Sequence, residues 1–100
     1  MQVRFLDQAK ADLRELAQYY RGLGGNALTR KMLTRIKTPV LSLGEHPEIA
    51  QSYELAPGVR RLVVAGGAFL VFYRVLVDVE VLHIRRAERT PASAEELTAK

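Results

Sequence analysis

The sequence contains no cysteine and no tryptophan, and only two of its 100 residues are histidine. Without cysteine the chain has no disulfide framework, no thiolate metal site and no thiol nucleophile. The two histidines, His46 and His83, lie far apart in the sequence, so a zinc site would need carboxylate ligands as well. Glycine-rich phosphate loops, serine elbows and helical His-Glu motifs are also missing. We therefore expect no metal and no cofactor.

Long hydrophobic runs are absent too. The longest apolar stretch, residues 62–73, contains Gly66-Gly67 and is flanked by arginines. A membrane-spanning helix needs about 20 apolar residues, and the N-terminal MQVRFLDQAK lacks the apolar core of a signal peptide. These absences predict a protein of the reducing cytoplasm that has no membrane partner.

The overall composition is that of an ordinary globular protein, with 48% hydrophobic and 26% charged residues. One hundred residues suffice for one domain with one core, so we expect residues 1–100 to form a single domain. Residues 90–100, which contain a serine followed by a glutamate at the spacing of a capping box, are expected to be a tail or a short helix. The formal net charge of +4 favours anionic partners.

The N-terminal half shows apolar residues at steps of three and four in two consecutive segments. The first predicts a helix over 8–22, and the second predicts a helix that begins near Asn26 and is finished by Gly44. Glycines at 22, 24 and 25 separate them, and Pro39 predicts a kink or a break in the second helix. Because the link is short, the two helices are expected to form a hairpin.

The C-terminal half changes to the composition of β-strands. Residues 59–65, 68–77 and 79–86 are rich in β-branched and aromatic residues, and residues 2–6 predict a short first strand. The element order is then β-α-α-β-β-β. This order predicts the α+β class, with an N-terminal helical hairpin packed on one face of a small antiparallel sheet.

The strand over 68–77 is apolar on both of its faces, since Leu70, Phe72 and Leu76 alternate with a second apolar set. Two helices with one apolar stripe each shield only one face of a sheet. The pattern therefore predicts a partly apolar, uncovered face that fits a protein partner, unless the tail folds over it.

The strand half contains six arginines and no lysine, namely Arg60, Arg61, Arg74, Arg85, Arg86 and Arg89. The planar guanidinium group of arginine suits the recognition of phosphate or carboxylate groups, so these residues could bind a partner. The alternative is that they are charges on the edge of the sheet, paired with nearby acidic residues of the same chain. A two-residue turn in the last hairpin would place Arg74 on the face of Arg85, and a three-residue turn would place it with Arg86. We interpret His83, which lies within an apolar strand, as a core or half-buried residue rather than a catalytic base.

Several segments, taken in order, resemble the RelE/ParE toxins of type II toxin–antitoxin systems. The runs PGVR at 57–60, FLVFYRV at 69–75 and VLHIRR at 81–86 resemble the C-terminal half of that family, and AKADLREL at 9–16 is similar to its first helix. The resemblance spans roughly residues 5–89. It implies a helical hairpin on an antiparallel sheet, which agrees with the element order.

The resemblance implies one of two activities. RelE-like members cut mRNA on the ribosome, and ParE-like members bind and poison DNA gyrase. A metal-free ribonuclease needs a base, an acid and cations for the phosphate. This sequence has no tyrosine after Tyr73 and no lysine between Lys37 and Lys100, and Arg86 stands where many relatives carry a histidine. The resemblance therefore favours a ParE-like gyrase inhibitor, linked to plasmid stabilization and neutralised by an antitoxin. A ribosome-dependent mRNA endonuclease is the alternative, and an inactive interaction module is a third hypothesis.

The resemblance also suggests which residues bind partners, while no catalytic residue is assigned. The apolar surface expected to face the antitoxin consists of Leu70, Phe72 and Leu76. The residues expected to bind the partner or the target are Arg60, Arg74, Arg85, Arg86 and Arg89.

Overall fold

Helical structure dominates the N-terminal half of the chain. The computed structural model describes residues 1–88 and 91–98. In it, strand β1 (Val3–Phe5) leads into helix α1 (Asp7–Leu41), which is followed by a 3-10 turn (Ser42–Gly44).

Helix α1 reverses direction at Gly24 and Gly25, whose backbone angles are not helical. A straight helix of 35 residues would be about 52 Å long. Yet the amine of Met1, which only a short strand separates from the start of α1, donates a hydrogen bond to the carbonyl of Gly44 over 3.0 Å. The two ends of α1 therefore lie close together. The helix consists of a first arm (7–23) and a second arm (26–41), and the predicted helical hairpin is confirmed.

Of the kink or break predicted at Pro39, the structure excludes the break. Helix α1 continues through Pro39 to Leu41, and its only non-helical residues are the two glycines at the reversal. Pro39 lies in the last turn, where its missing N–H removes a single hydrogen bond. The hydroxyl of Ser42 also donates to the Pro39 carbonyl over 2.7 Å and so supports this helix end.

Substitution at Gly25 is expected to reveal the strain of the reversal. Gly25 has φ 74° and ψ −165°, a conformation that side chains with a Cβ avoid. We expect Gly25→Ala to lower the free energy of unfolding by about 1–3 kcal/mol, whereas Gly22→Ala, in a helical turn with open space, should raise it by about 0.5–1 kcal/mol. Urea unfolding of both variants tests this expectation. If both substitutions raise the free energy of unfolding, or both lower it, the expectation is wrong.

The sheet has five strands in the order β1-β5-β4-β3-β2. The additional members are β2 (Gln51–Ser52), β3 (Arg60–Val64), β4 (Phe69–Val75) and β5 (Val79–Arg86), with a 3-10 turn (Ala65–Gly67) between β3 and β4. The sheet is mixed rather than wholly antiparallel, because β1 runs parallel to β5. The α+β class with the hairpin on one face holds, but the sheet contains the unpredicted strand β2 and one parallel pair.

The last hairpin has a three-residue turn, since Val75 pairs with Val79. Such a turn alone would place Arg74 on the face of Arg86. A β-bulge changes this outcome, because the register shifts between Phe72 and Tyr73 and leaves one extra residue on β5. After the shift Phe72 pairs with His83 and Leu70 with Arg85, so Arg74 shares its face with Arg85 and Arg86 lies on the opposite face.

The first hydrophobic cluster lies between the helical hairpin and the sheet. Both arms contribute to it, and the central strands β4 and β5 supply most of the remainder. Its buried residues include Ala9, Tyr20, Ile36 and Val40 from α1, and Val64, Phe69, Val71, Tyr73, Val79, Val81 and Ile84 from the strands. This cluster is the core that the helical periodicity predicted.

A second hydrophobic cluster covers the other face of the sheet, so the prediction of an uncovered face is wrong for Phe72. Phe72 is 0% exposed, because the segment 53–59 and the tail pack over it. Leu70 is half-buried at the margin of the same cluster. From the tail, Ala92 and Leu97 are buried in this cluster, which also contains Tyr53, Ala56, Val59 and Leu82. The chain itself therefore closes most of the face that the sequence pattern left open.

The tail is held by specific bonds but forms turns rather than a helix over 91–98. The predicted capping box is present, since the amide of Glu96 donates to the Ser93 hydroxyl and the amide of Ser93 donates to the Glu96 carboxylate, both over 3.3 Å. The hydroxyl of Tyr53 donates to the Ala92 carbonyl over 2.8 Å. The remaining positions of the predicted tail helix, residues 90, 99 and 100, lie outside the described residues.

Candidate functional site

Arg60 is used within the fold to hold the loop before β2. Its Nη1 donates to the carbonyls of Ala50 over 2.7 Å and of Glu48 over 3.4 Å. The neighbouring Tyr73 hydroxyl donates to the Pro47 carbonyl over 2.8 Å, and burial raises the pKa of Tyr73. Both side chains therefore fasten the segment 47–50 to the sheet.

Arg74 and Arg85 each have an acidic partner in the chain. The Nε and Nη2 atoms of Arg74 both lie 2.7 Å from Oε1 of Glu80. Nη1 of Arg85 donates to Oε2 of Glu96 in the tail over 2.8 Å, and Arg85 is only 6% exposed. These pairs match the alternative in which the arginines are edge charges balanced by nearby acids.

Arg86 is stacked on aromatic rings on the helix face. Its guanidinium carbon lies 4.8 Å from the ring centre of Tyr19 and 5.8 Å from that of Phe69, at cation–π distances. Within the described part of the chain, Arg86 forms no ion pair.

The predicted binding arginines do not converge on one site. Arg60 lies towards the β2 edge of the sheet, Arg74 and Arg85 share the tail face with separate acidic partners, and Arg86 lies on the helix face. Arg89, the fifth predicted binding residue, lies outside the described residues.

An Asp–His pair that the sequence analysis missed joins the first arm to β5. Oδ2 of Asp12 lies 2.6 Å from Nδ1 of His83 and accepts the amide of Ile84 over 2.9 Å. Oδ1 of Asp12 accepts the side-chain amide of Gln8 over 2.8 Å. Because β1 pairs with β5 only as far as Val81, the carboxylate takes the place of a strand partner for the Ile84 amide. The feature of the sequence that could have indicated this pair is the position of Asp12, an acidic residue next to the apolar stripe of the first helix.

The carboxyl of Asp12 is held in its charged form. Burial alone would raise its pKa, but hydrogen bonds from His83, the Ile84 amide and Gln8 outweigh this effect and lower the pKa below the ordinary value of 3.8. A carboxyl with a lowered folded-state pKa stabilises the fold above its unfolded-state pKa, and this contribution is lost as the pH falls through the folded-state value.

The stability of the protein is expected to carry an acid-dependent contribution from Asp12. We expect the difference in unfolding free energy between the wild type and Asp12→Asn to shrink as the pH falls below 3.8, because protonation removes the advantage of the carboxylate. Urea midpoints of both proteins at a series of pH values measure this difference. If this difference in unfolding free energy does not change as the pH falls below 3.8, the Asp12 carboxylate does not stabilise the fold in its charged form.

The Asp12–His83 pair borders a small cavity of about 310 Å³, which is also lined by Glu15, Tyr19 and Arg86. His83 makes no hydrogen bond through Nε2 to the described residues, and this atom is not among the fully buried ones without a partner. A histidine that is held by a carboxylate through one ring nitrogen, and whose other nitrogen is free to accept a proton, has the arrangement of a general base. Across residues 1–88 and 91–98, no three acidic or histidine side chains are grouped as a metal site.

An exposed apolar tip lies at the turn between β4 and β5. Leu76 is 58% exposed and Val77 is 89% exposed. Of the three residues expected to face the antitoxin, Leu76 is exposed, Leu70 is half-buried and Phe72 is buried. The tip is therefore the part of the predicted apolar surface that is open to a partner.

Comparisons with known proteins agree with the fold and its element order. The model of the family described as the ParE toxin of type II toxin–antitoxin systems, parDE, matches residues 3–91. Among solved structures, the chromosomal ParDE toxin–antitoxin system from P. aeruginosa matches with 28% identity and a TM-score of 0.76, covering 88% of this chain and 97% of that chain. No curated protein matches. In the described ranges no helix has the length and hydropathy needed to cross a membrane. Because the family model covers most of its length, the chain belongs to the ParE toxins of type II toxin–antitoxin systems.

Proposed function

We propose that this ParE-family toxin inhibits DNA gyrase by binding it in the cytoplasm and that a cognate antitoxin neutralises it. The observation that carries this proposal is the dispersal of the arginines. A phosphodiester-cleaving site needs several cations around one phosphate. Arg60, Arg74 and Arg85 instead bind carbonyls or carboxylates of their own chain, at separate places on the sheet. Inhibition by binding does not require such a cluster.

A supercoiling assay with purified gyrase tests the target. We expect the toxin to inhibit the introduction of supercoils in a dose-dependent manner, and an added antitoxin to restore it. Unchanged supercoiling at toxin concentrations that arrest growth in cells would refute gyrase as the target. Normal growth of cells that express the folded chain would instead indicate an inactive module.

The antitoxin is proposed as an obligatory partner. Support comes from the family description and from the match to a ParDE toxin–antitoxin system. Co-expression of the small acidic protein expected from a neighbouring gene should rescue growth and copurify with the toxin. Among the predicted binding residues, Leu76 at the apolar tip and Arg86, which lacks an ion pair in the described part of the chain, are the ones we still propose as contacts.

The second candidate function is cleavage of mRNA on the ribosome. One observation favours it, namely the Asp12–His83 pair in a cavity that Arg86 also lines. In this function His83 would take the proton from the attacking 2′-hydroxyl. Mapping of 5′ ends in cells distinguishes the two functions. Cleaved codons that disappear in a folded His83→Gln variant, together with unaffected gyrase, would favour the ribonuclease.

A further inference from the structure

The middle of the chain carries charge of one sign only. Between Glu15 and Glu45 there is no acidic residue. The same segment contains five cationic residues, namely Arg21, Arg30, Lys31, Arg35 and Lys37. All five are exposed, and among the residues that the structure describes none of them forms an ion pair. Their charges are therefore not balanced within the fold, unlike those of Arg74 and Arg85.

The solvent side of the second arm has a centre line of small side chains. This line consists of Ala27, Thr34 and Thr38, which are all exposed. The buried residues of the same arm are Thr29, Ile36 and Val40. Each buried residue follows a residue of the centre line by two positions, which is a rotation of about 200° around the helix. The centre line therefore lies on the side of the helix that faces away from the core.

The cations flank this centre line on both sides. Arg30 and Lys37 lie on one side, two turns apart, and Lys31 and Arg35 lie on the other, one turn apart. Arg21, at the end of the first arm, belongs to the first side, since it lines the same surface depression of about 570 Å³ as Arg30 and Lys37. No acidic residue of the described ranges lines this depression. We name the five cations and the centre line together the cationic arm face.

The dimensions of the cationic arm face match the major groove of B-form DNA. That groove is about 12 Å wide and admits an α-helix, whose diameter with side chains is about 10–12 Å. A helix in the groove meets base edges along its centre and one phosphate strand on each side. Small side chains along the centre line allow a close approach, and each row of cations then reaches a phosphate strand. Leu41, which is 57% exposed at the end of the arm, suits contact with a thymine methyl group.

Other polyanions use this arrangement less completely. Single strands bind to aromatic stacking platforms, and residues 21–41 contain no aromatic residue. The major groove of duplex RNA is deep and too narrow for side chains to read. An acidic protein would neutralise the cations, but it does not require them on two sides of a line of small residues. The arrangement as a whole therefore favours duplex DNA.

We propose that the cationic arm face binds duplex DNA, with the second arm in the major groove and its cations on the two phosphate strands. This inference goes beyond the proposed function, because it concerns binding of DNA by the toxin alone. Since most contacts are made to phosphates, binding is expected to depend weakly on sequence and strongly on salt. A toxin bound to gyrase would then contact the enzyme and its DNA at once.

The test compares two double neutralisations in the purified full-length chain. Arg30→Gln with Lys31→Gln removes one cation from each side of the cationic arm face, whereas Lys10→Gln with Arg14→Gln makes the same change in net charge on the first arm. All four side chains are exposed, so both variants should fold, which circular dichroism verifies. Affinity is measured by fluorescence anisotropy of a labelled DNA duplex of about 20 base pairs, or two helical turns, at a series of salt concentrations.

We expect the wild type to bind this duplex with a logarithmic salt slope of about −4.5, which corresponds to five phosphate contacts. Arg30→Gln with Lys31→Gln should reduce the slope to about −2.7 and the affinity by about 10-fold or more. The control pair on the first arm should change the affinity by less than about 3-fold. Equal losses in the two variants would overturn the proposal, since they would show a general effect of net charge.

A change of bulk tests the position of the helix in the groove. Thr34→Phe enlarges the centre line without changing charge and should weaken DNA binding by about 10-fold, whereas Gln18→Phe, at an exposed position of the first arm, should have little effect. An RNA duplex of the same sequence should bind about 10-fold more weakly than the DNA duplex. Equal affinity for both duplexes, together with unchanged DNA binding by Thr34→Phe, would refute insertion into the major groove.

Three further outcomes separate this inference from the proposed function. If the wild-type toxin inhibits gyrase but does not bind the DNA duplex even at low salt, the inference is wrong and the proposed function stands. If the toxin binds the duplex but neither arrests growth nor inhibits gyrase, the proposed function fails and DNA binding remains. If polyglutamate binds as tightly as the DNA duplex, the face takes an acidic protein and the inference is wrong.

Discussion

Replacing Phe72 with alanine is expected to lower the free energy of unfolding by about 3–5 kcal/mol. Phe72 is 0% exposed, and its ring lies 4.8 Å from that of Tyr53 in an edge-to-face arrangement and 6.3 Å from that of His83. Truncation would remove these contacts and leave a cavity between the sheet and the tail. If the sheet face were open, the same change would cost little, so the measurement tests whether the tail closes it.

Urea unfolding of Phe72→Ala is best compared with that of Leu76→Ala, which removes an exposed side chain of the same strand region and should cost less than about 0.5 kcal/mol. Leu97→Ala in the tail should destabilise by about 2 kcal/mol or more, since Leu97 is buried in the same cluster. The double variant at 72 and 97 should be less destabilised than the sum of the two. Similar values for Phe72→Ala and Leu76→Ala would show that the tail is not packed.

The helical hairpin and the three long strands follow from local patterns in the sequence. Apolar residues at helical spacing in α1 face one core, and the glycines at 24 and 25 adopt backbone angles that end a helix. The strands are rich in β-branched and aromatic residues, and β5 has the predicted bounds of 79 and 86. Such features are local, since each depends on residues within a few positions of one another.

Non-local features could not be predicted in the same way. Strand β1 pairs with β5 across more than half of the chain, and no pattern in either segment specifies a parallel partner. Strand β2 consists of Gln51 and Ser52, whose composition is not typical of a strand. Both strands exist because the fold brings them beside a sheet edge with free hydrogen-bonding groups.

A single β-bulge in β5 decides which face of the sheet Arg85 and Arg86 occupy. Turn length alone would have placed Arg74 with Arg86, but the bulge on β5 exchanged the faces of Arg85 and Arg86. Arg86 therefore stacks on Tyr19 under the helices, and Arg85 reaches Glu96 in the tail. One extra residue in a strand reverses every side chain beyond it, and the sequence alone did not indicate that residue.

The apolar excess of β4 had two possible explanations, a partner protein or the tail. The tail consists mostly of charged and small residues, so its sequence does not indicate a segment that packs on the sheet. Nevertheless, Ala92 and Leu97 of the tail and the segment 53–59 together cover Phe72. Because the tail supplies this cover, the part of the predicted apolar surface that remains open to a partner is the exposed tip between β4 and β5. Leu76 and Val77 are the exposed apolar residues of this tip.

Asp12→Ala is expected to destabilise the protein by about 3–4 kcal/mol, although Asp12 belongs to neither hydrophobic cluster. Asp12 is only 8% exposed and accepts three hydrogen bonds, from Gln8, His83 and Ile84. Alanine would leave the buried Ile84 amide and the His83 ring without partners. Since the Asp12 carboxylate joins the first arm to the free edge of β5, its loss should also loosen the docking of the helical hairpin.

Two companion variants identify the cause of this loss. Asp12→Asn retains an oxygen that can accept the Ile84 amide, so it should cost about half as much, while Glu15→Ala on the exposed side of the same arm should cost less than about 0.5 kcal/mol. Amide hydrogen exchange at Ile84 should accelerate in Asp12→Ala before global unfolding does, because the edge amide becomes free. An Asp12→Ala protein as stable as Glu15→Ala, with Ile84 still protected, would show that the helix and the strand are held together without this carboxylate.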